Sequence, residues 1–254
     1  MIVNDAQLAA LEEIDPGAFE DYMAVHLVEF SPPHAQALGE PGLRALVREG
    51  VAKAARHGWT RRGPVKFHIE LMLLLGFEFD ADPQYPAVAA ILQDPAGGDQ
   101  VERADRIHAW VTDLIERVAG PDGSLTTRSL RRAVAMPFEP VAADSDGFEA
   151  TMIERMRAIH PEKVAFVGEP ALRALIARAG EEAARYDVAT DAGVCLFVGL
   201  TFAMGRGVAR DPKYPWVAGT LTNPAIVDRD RRVERLHSKA MTYLVHVLRN
   251  LERR

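Results

Sequence analysis

A single cysteine, Cys195, stands in 254 residues, which excludes an internal disulfide and any cysteine-built zinc cluster. It sits inside the most apolar stretch of the chain and reads as a small core filler. Cations are short as well. With 30 Lys and Arg against 36 Asp and Glu, the net charge of −6 argues against a dedicated nucleic-acid binder, because neutralising phosphates takes a surplus of basic residues. Long hydrophobic runs are missing: the most apolar, Val194 to Met204, falls well short of the roughly 18–20 residues that cross a bilayer. The opening MIVNDAQLAALEEID has neither a basic nor an apolar leader region, so no secretory signal is read and a cytoplasmic protein is expected. Nowhere is a period-two alternation sustained, which removes the usual basis for strands. Neither H-E-x-x-H, G-x-S-x-G nor a P-loop occurs.

What is present is one stretch written twice. VKFHIELMLLLGFEFDADPQYPAVAAILQDP runs from Val65 to Pro95, and VCLFVGLTFAMGRGVARDPKYPWVAGTLTNP from Val194 to Pro224. Each has an apolar run, a glycine (Gly76, Gly205), an irregular connection, then Asp-Pro-x-Tyr-Pro-x-Val-Ala. A strand would also read as an apolar run, but Leu, Met and Ala with a glycine just past the end favour helix. Pro86 and Pro215 suit the first turn of a new helix, where no N–H is needed. The expected structure is a helix–connection–helix corner built from Gly76, Asp82, Pro83, Tyr85 and Pro86 and from Gly205, Asp211, Pro212, Tyr214 and Pro215. In it an Asp side chain and a Tyr hydroxyl would satisfy orphan backbone groups, and each glycine would take a left-handed conformation.

The likeness extends over the whole length. At an offset of 129, residues 1–125 align with 130–254 without a gap, and 33 of 125 positions are identical against roughly one in twelve from ordinary usage. The expectation is all-α: two similar helical domains, 1–120 and 146–254, joined by a linker, 121–145, and packed by pseudo-twofold symmetry. In copy one, helices are expected from about Gly17 to Phe30, from Pro41 to Gly58, through the central run, and from Asp99 to about Val118. A further short helix is expected after Asp5. The last helix would bury Val101, Ala104, Ile107, His108, Val111, Leu114, Ile115 and Val118. His108 and His237 recur, and on this stripe they read as hydrogen-bonded core histidines ahead of ligands or catalysts.

Candidate sites are sparse. Asp80-x-Asp82 has no counterpart at Ala209 and too few oxygens for a calcium loop, and Gly205-Arg206-Gly207 lacks the rest of a dinucleotide fingerprint. Neither a metal nor a cofactor is expected. Arg103, Arg106, Arg232 and Arg235 fall off the apolar stripe and should face solvent or a partner, Asp99–Arg103 and Asp228–Arg232 forming ordinary surface pairs. Trp216, where copy one has Ala87, is either core or a partner anchor, since tryptophan is enriched at binding hot spots. An enzyme would need a polar cleft between the halves, lined by Asp82, Tyr85 and His108 with their copy-two equivalents.

Each half resembles a family of small bacterial helical proteins that read F-E-D near the start, then A-x-x-Y-G, then L-M-x-x-x-G-x-x-F-x-x-D-P-x-x-P-W-A-x-x-I-L. Phe19-Glu20-Asp21, Gly76, Phe79, Asp82-Pro83, Pro86 and Ile91-Leu92 carry the likeness in copy one. Tyr186, Gly205, Asp211-Pro212, Pro215-Trp216 and Leu221 carry it in copy two, while Ala87 and Val208 depart from it. Members are often encoded beside type VI secretion spike and effector genes. The resemblance implies no catalytic residue. It implies a non-enzymatic accessory, an adaptor or chaperone whose partner is another protein such as a secreted effector or spike component. The alternatives are an immunity protein that neutralises a toxin, and the enzyme just described. Neither a nucleic acid nor a membrane is an expected partner.

Overall fold

The computed structural model describes residues 15–94 and 96–253, and all regular structure among them is helical. Helix α1 (Pro16–Phe30) starts at a proline with the Asp15 side chain accepting from the Gly17 N–H. Helix α2 (Pro32–Arg56) bends at Gly39, whose φ of 63° breaks the helix before Pro41 restarts it. Then come α3 (Arg62–Leu75), a short 3₁₀ turn at Phe79–Ala81, and α4 (Pro86–Gln93). Helix α5 (Gln100–Leu114) opens on a reciprocal capping box between Asp99 and Glu102 and runs on as a π-turn at Ile115–Ala119. The second half holds α7 (Phe148–Ile159), α8 (Pro161–Val167), α9 (Glu169–Arg185), α10 (Asp191–Met204), α11 (Pro215–Leu221) and α12 (Arg229–Leu251). Helix starts at 32, 62, 86 and 100 return at 161, 191, 215 and 229, each 129 later.

Three sequence expectations change. Residues 121–145 are not bare linker: α6 (Ser124–Ala135) forms there and packs against α12 and α7. The second helix, expected to begin at Pro41, already begins at Pro32, since proline is tolerated in a first turn. On α5 the buried stripe is only Ala104, Ile107, Val111 and Leu114, while Val101, His108 and Ile115 are exposed. The true stripe keeps strict i, i+3, i+7 spacing, and His108 lies one residue, about 100°, off it. The helix expected after Asp5 lies outside the described residues.

Each half has its own core. One cluster runs from Phe19 to Leu114 and the other from Phe148 to Ala240. At the centre of the second, α10 buries ten of its 14 residues; Gly199 and Ala203 are exposed.

Candidate functional site

The Asp-Pro corners meet at the seam between the halves, and each completes the other. Asp82 accepts from the Gln84 N–H at 2.9 Å through Oδ1 and from the Arg206 N–H at 2.7 Å through Oδ2. Gln84 Nε2 then donates to the Thr201 carbonyl at 3.1 Å, at the end of α10. The reverse set is made by the other half. Asp211 accepts from the Lys213 N–H at 2.9 Å and from the Phe77 N–H, and Lys213 Nζ donates to the Met72 and Leu73 carbonyls at 3.0 and 2.9 Å. The Met72 and Leu73 carbonyls lie in the last turn of α3, where the helix itself supplies no partner, whereas the Thr201 carbonyl also accepts from the Gly205 N–H at 2.9 Å. Burial pushes the Asp82 and Asp211 carboxyls up and the Lys213 ammonium down, so desolvation outweighs the attraction of the Asp211–Lys213 pair.

Gly76 and Gly205 sit back to back at the middle of this seam. Their φ values of 120° and 90° with ψ of 158° and 167° lie in a glycine-only region, extended in ψ and not left-handed helical as the sequence suggested. A Cβ on Gly76 would stand 3.0 Å from the Met204 carbonyl oxygen, and one on Gly205 2.5 Å from that of Leu75. Tyr85 serves through its ring, edge-on to Trp110 at 5.6 Å, while the Tyr214 hydroxyl meets Tyr243.

The residues expected to line an enzyme's cleft divide: Tyr85, Tyr214 and His237 line one cavity, while Asp82, Asp211 and His108 do not. Asp82 is 1% exposed within the seam and Tyr85 is buried, but His108 is on the outer surface against Phe67. His237 stacks on Phe138 at 4.3 Å. Among the described residues no group of three or more His, Cys, Asp or Glu is placed to hold a metal ion. The repeated arginines divide. Arg103 and Arg232 turn inward, Arg103 donating to the Leu92 and His57 carbonyls and Arg232 to those of Tyr186 and Ile226. They are internal braces, because a long aliphatic stem lets a guanidinium reach back over its own helix to a loop carbonyl. Nor do they pair with the aspartates expected: Asp99 caps α5 and meets Arg61, and Arg232 approaches Asp187. Arg106 and Arg235 are exposed, Arg106 near Asp94. Trp216 is half-buried against Tyr243, with its Nε1 buried and without a partner, so its own half covers it.

Two features went unread in the sequence. The first is a cavity of about 550 Å³ between α6, α10 and the seam. Cys195, Gly199 and Ala203, one turn apart on α10, form its floor, and Thr126, Ser129, Leu130 and Ala133 of α6 face it. The same positions of α3 carry Lys66, Glu70 and Leu74, and there Glu70 pairs with His26 at 2.6 Å and with Lys66 at 3.0 Å. Copy one carries longer side chains at positions where copy two has Cys195, Gly199 and Ala203. The second feature is the outer face of α1, where Tyr22, Val25, Val28 and Phe30 are 39%, 66%, 50% and 43% exposed. Both were legible as differences between the copies, a comparison that a search for identities passes over. A comparison with protein-family models, curated proteins and solved structures found no match to this chain.

Proposed function

We propose that this chain is a non-enzymatic binding protein that engages an apolar segment of another protein through the outer face of α1. The observation that carries the reading is the contrast between equivalent helices. Tyr22, Val25 and Val28 of α1 stand where α7 has Thr151, Glu154 and Arg157, so the shared fold does not need apolar residues there. Of the eight large hydrophobics exposed among the described residues, four lie on this one helix. Tyr22, His26 and Phe30 form a ladder of rings 6.1 and 5.8 Å apart, with the Arg62 guanidinium 4.2 Å from the Tyr22 ring. Exposed apolar side chains gathered on one helix, interspersed with the exposed Asp21 and Glu29, make the kind of surface found at interaction sites. An adaptor or chaperone role in a secretion or toxin system accords with the family resemblance; an immunity protein would use the same face to neutralise its partner.

The test is to exchange α1 for its counterpart's chemistry. Val25→Glu with Val28→Arg should leave the melting temperature within a few degrees of the parent and release a co-purifying partner. Loss of at least tenfold in affinity, measured with that purified partner, supports the reading. A variant that binds as tightly as the parent overturns it. So does a parent that is a dimer by light scattering and becomes a monomer in the variant, because the occupant is then a second copy.

A further inference from the structure

The cavity beside α10 has a chemistry that the α1 face does not use. Its volume of about 550 Å³ falls within the roughly 300–1,000 Å³ that small-molecule sites occupy. Its walls are aliphatic and sulfur-rich, with Met136, Met152, Met156, Met204 and Met241 among the lining residues. Unbranched thioethers of this kind adapt to a flexible chain better than branched side chains do.

Charge narrows the ligand further. In a chain with more acids than bases, no Asp or Glu of the described residues lines this cavity. Its ionisable lining is His34, Arg155, His160, Lys163, Lys213 and His237, besides two tyrosines and Cys195. Most of these cations are already engaged. Lys213 holds two carbonyls and lies 3.4 Å from Asp211, Arg155 donates to the Glu139 carbonyl, and His160 lies 3.3 Å from Glu162. Arg155 and Lys163 each keep donors to spare, and of the two Lys163 is the one that burial bears on. Its ammonium donates to the Phe202 carbonyl and stands 4.7 Å from the Phe202 ring, which leaves donors of the three unused. The residue keeps accessible surface although protein surrounds the ammonium, and burial holds its pKa down to about 8, with only Asp82 attracting it from behind the wall. Lys163 is thus a cation with donors to spare beside an otherwise mostly apolar cavity.

The floor gives the cavity its length. Lys163 anchors at Phe202, beside Ala203, and Gly199 and Cys195 follow at successive turns, so the small-residue floor rises about 1.5 Å per residue away from the cation. A Cβ on Gly199 would meet nothing within 4 Å. Neither the cation nor the floor exists in copy one, where His34 stands for Lys163 and Glu70 for Gly199.

We infer that this cavity binds an aliphatic monocarboxylate, its carboxylate on Lys163 and its chain along Ala203, Gly199 and Cys195 beneath α6. The experiment is a fluorescence titration of the intact chain with cis-parinaric acid, competed by oleate or by methyl oleate, each below its micelle concentration. Oleate should displace the probe at least tenfold better than the ester, and Lys163→Met should erase that difference. Gly199→Phe should abolish binding while the melting temperature holds, and oleate should slow alkylation of Cys195 in the parent. The inference is overturned if the parent takes up no probe, if acid and ester compete equally, or if folded Gly199→Phe binds as the parent does.

Discussion

At the scale of single residues, histidine shows what the sequence concealed. His108 and His237 drew notice because they recur, yet one is exposed and the other half-buried against a phenylalanine. The histidine with the strongest consequence is His68, which recurs nowhere. It is 0% exposed, both ring nitrogens lack partners, and it is walled by Phe79, His57 and Trp59 at ring distances of 4.9, 5.9 and 6.0 Å. Burial pushes its pKa from 6.5 down to about 3, against the pull of the Asp80 carboxylate. Copy two places Phe197 at this position, equally buried. His68→Phe should therefore raise stability at neutral pH by about 1–3 kcal/mol, by removing unmet polar groups. Acid sharpens the comparison. Below pH 6.5 the unfolded chain binds a proton that the folded imidazole refuses, so the parent loses stability as pH falls toward 3. In urea titrations the variant's advantage should widen by up to about 1.4 kcal/mol per pH unit across that window. Parallel curves for the two proteins would refute this account of His68.

Among the elements, the long apolar runs were readable because burial on every side leaves no other composition. The corner that follows them was readable from its prolines and glycine. Helix α6 was not. Gly120, Gly123 and Pro137 bracket it with the chemistry of a loop, and on its cavity side Thr126, Ser129 and Ala133 outnumber Leu130. The floor of the cavity was hidden for a similar reason, since Gly199 merely looks like a flaw in a good helix. That flaw has a measurable cost. With open space around its missing Cβ and an ordinary helical backbone, Gly199→Ala should stabilise the protein by about 0.5–1 kcal/mol through backbone entropy. An unchanged urea midpoint would mean that α10 draws nothing from helix propensity there.

For the molecule as a whole, identity between the copies and difference between them mark different things. Positions that match, Gly76 with Gly205 and Asp82 with Asp211, build the seam; positions that differ build the cavity and the α1 face. Within the seam one difference tests the design. Gln84 and Lys213 perform the same task with different groups, each donating across to the other half's helix end. Lys213→Ala should cost about 3–5 kcal/mol, because it strands a buried Asp211 without its cation. Lys213→Gln should recover most of that loss by copying the arrangement Gln84 already makes with Asp82. Chemical denaturation of the three proteins measures both steps, and equal losses for the two variants would show that charge, not hydrogen bonding, holds the seam.

The exchange of partners across that seam has a historical reading. Position 84 reaches 201 while 213 reaches 72, and 76 abuts 205 in both senses, so each of these contacts is returned by its mirror contact. That reciprocity is the rule for two identical subunits related by a twofold axis. A half-length ancestor carrying one Asp-Pro corner would have finished its helix ends only by pairing with a second copy of itself. Fusing two such subunits into one polypeptide would fix the pairing at one to one. It would also release the subunits from having to stay alike, so that sequence drift in one could open a cavity or grease a surface without doing so twice.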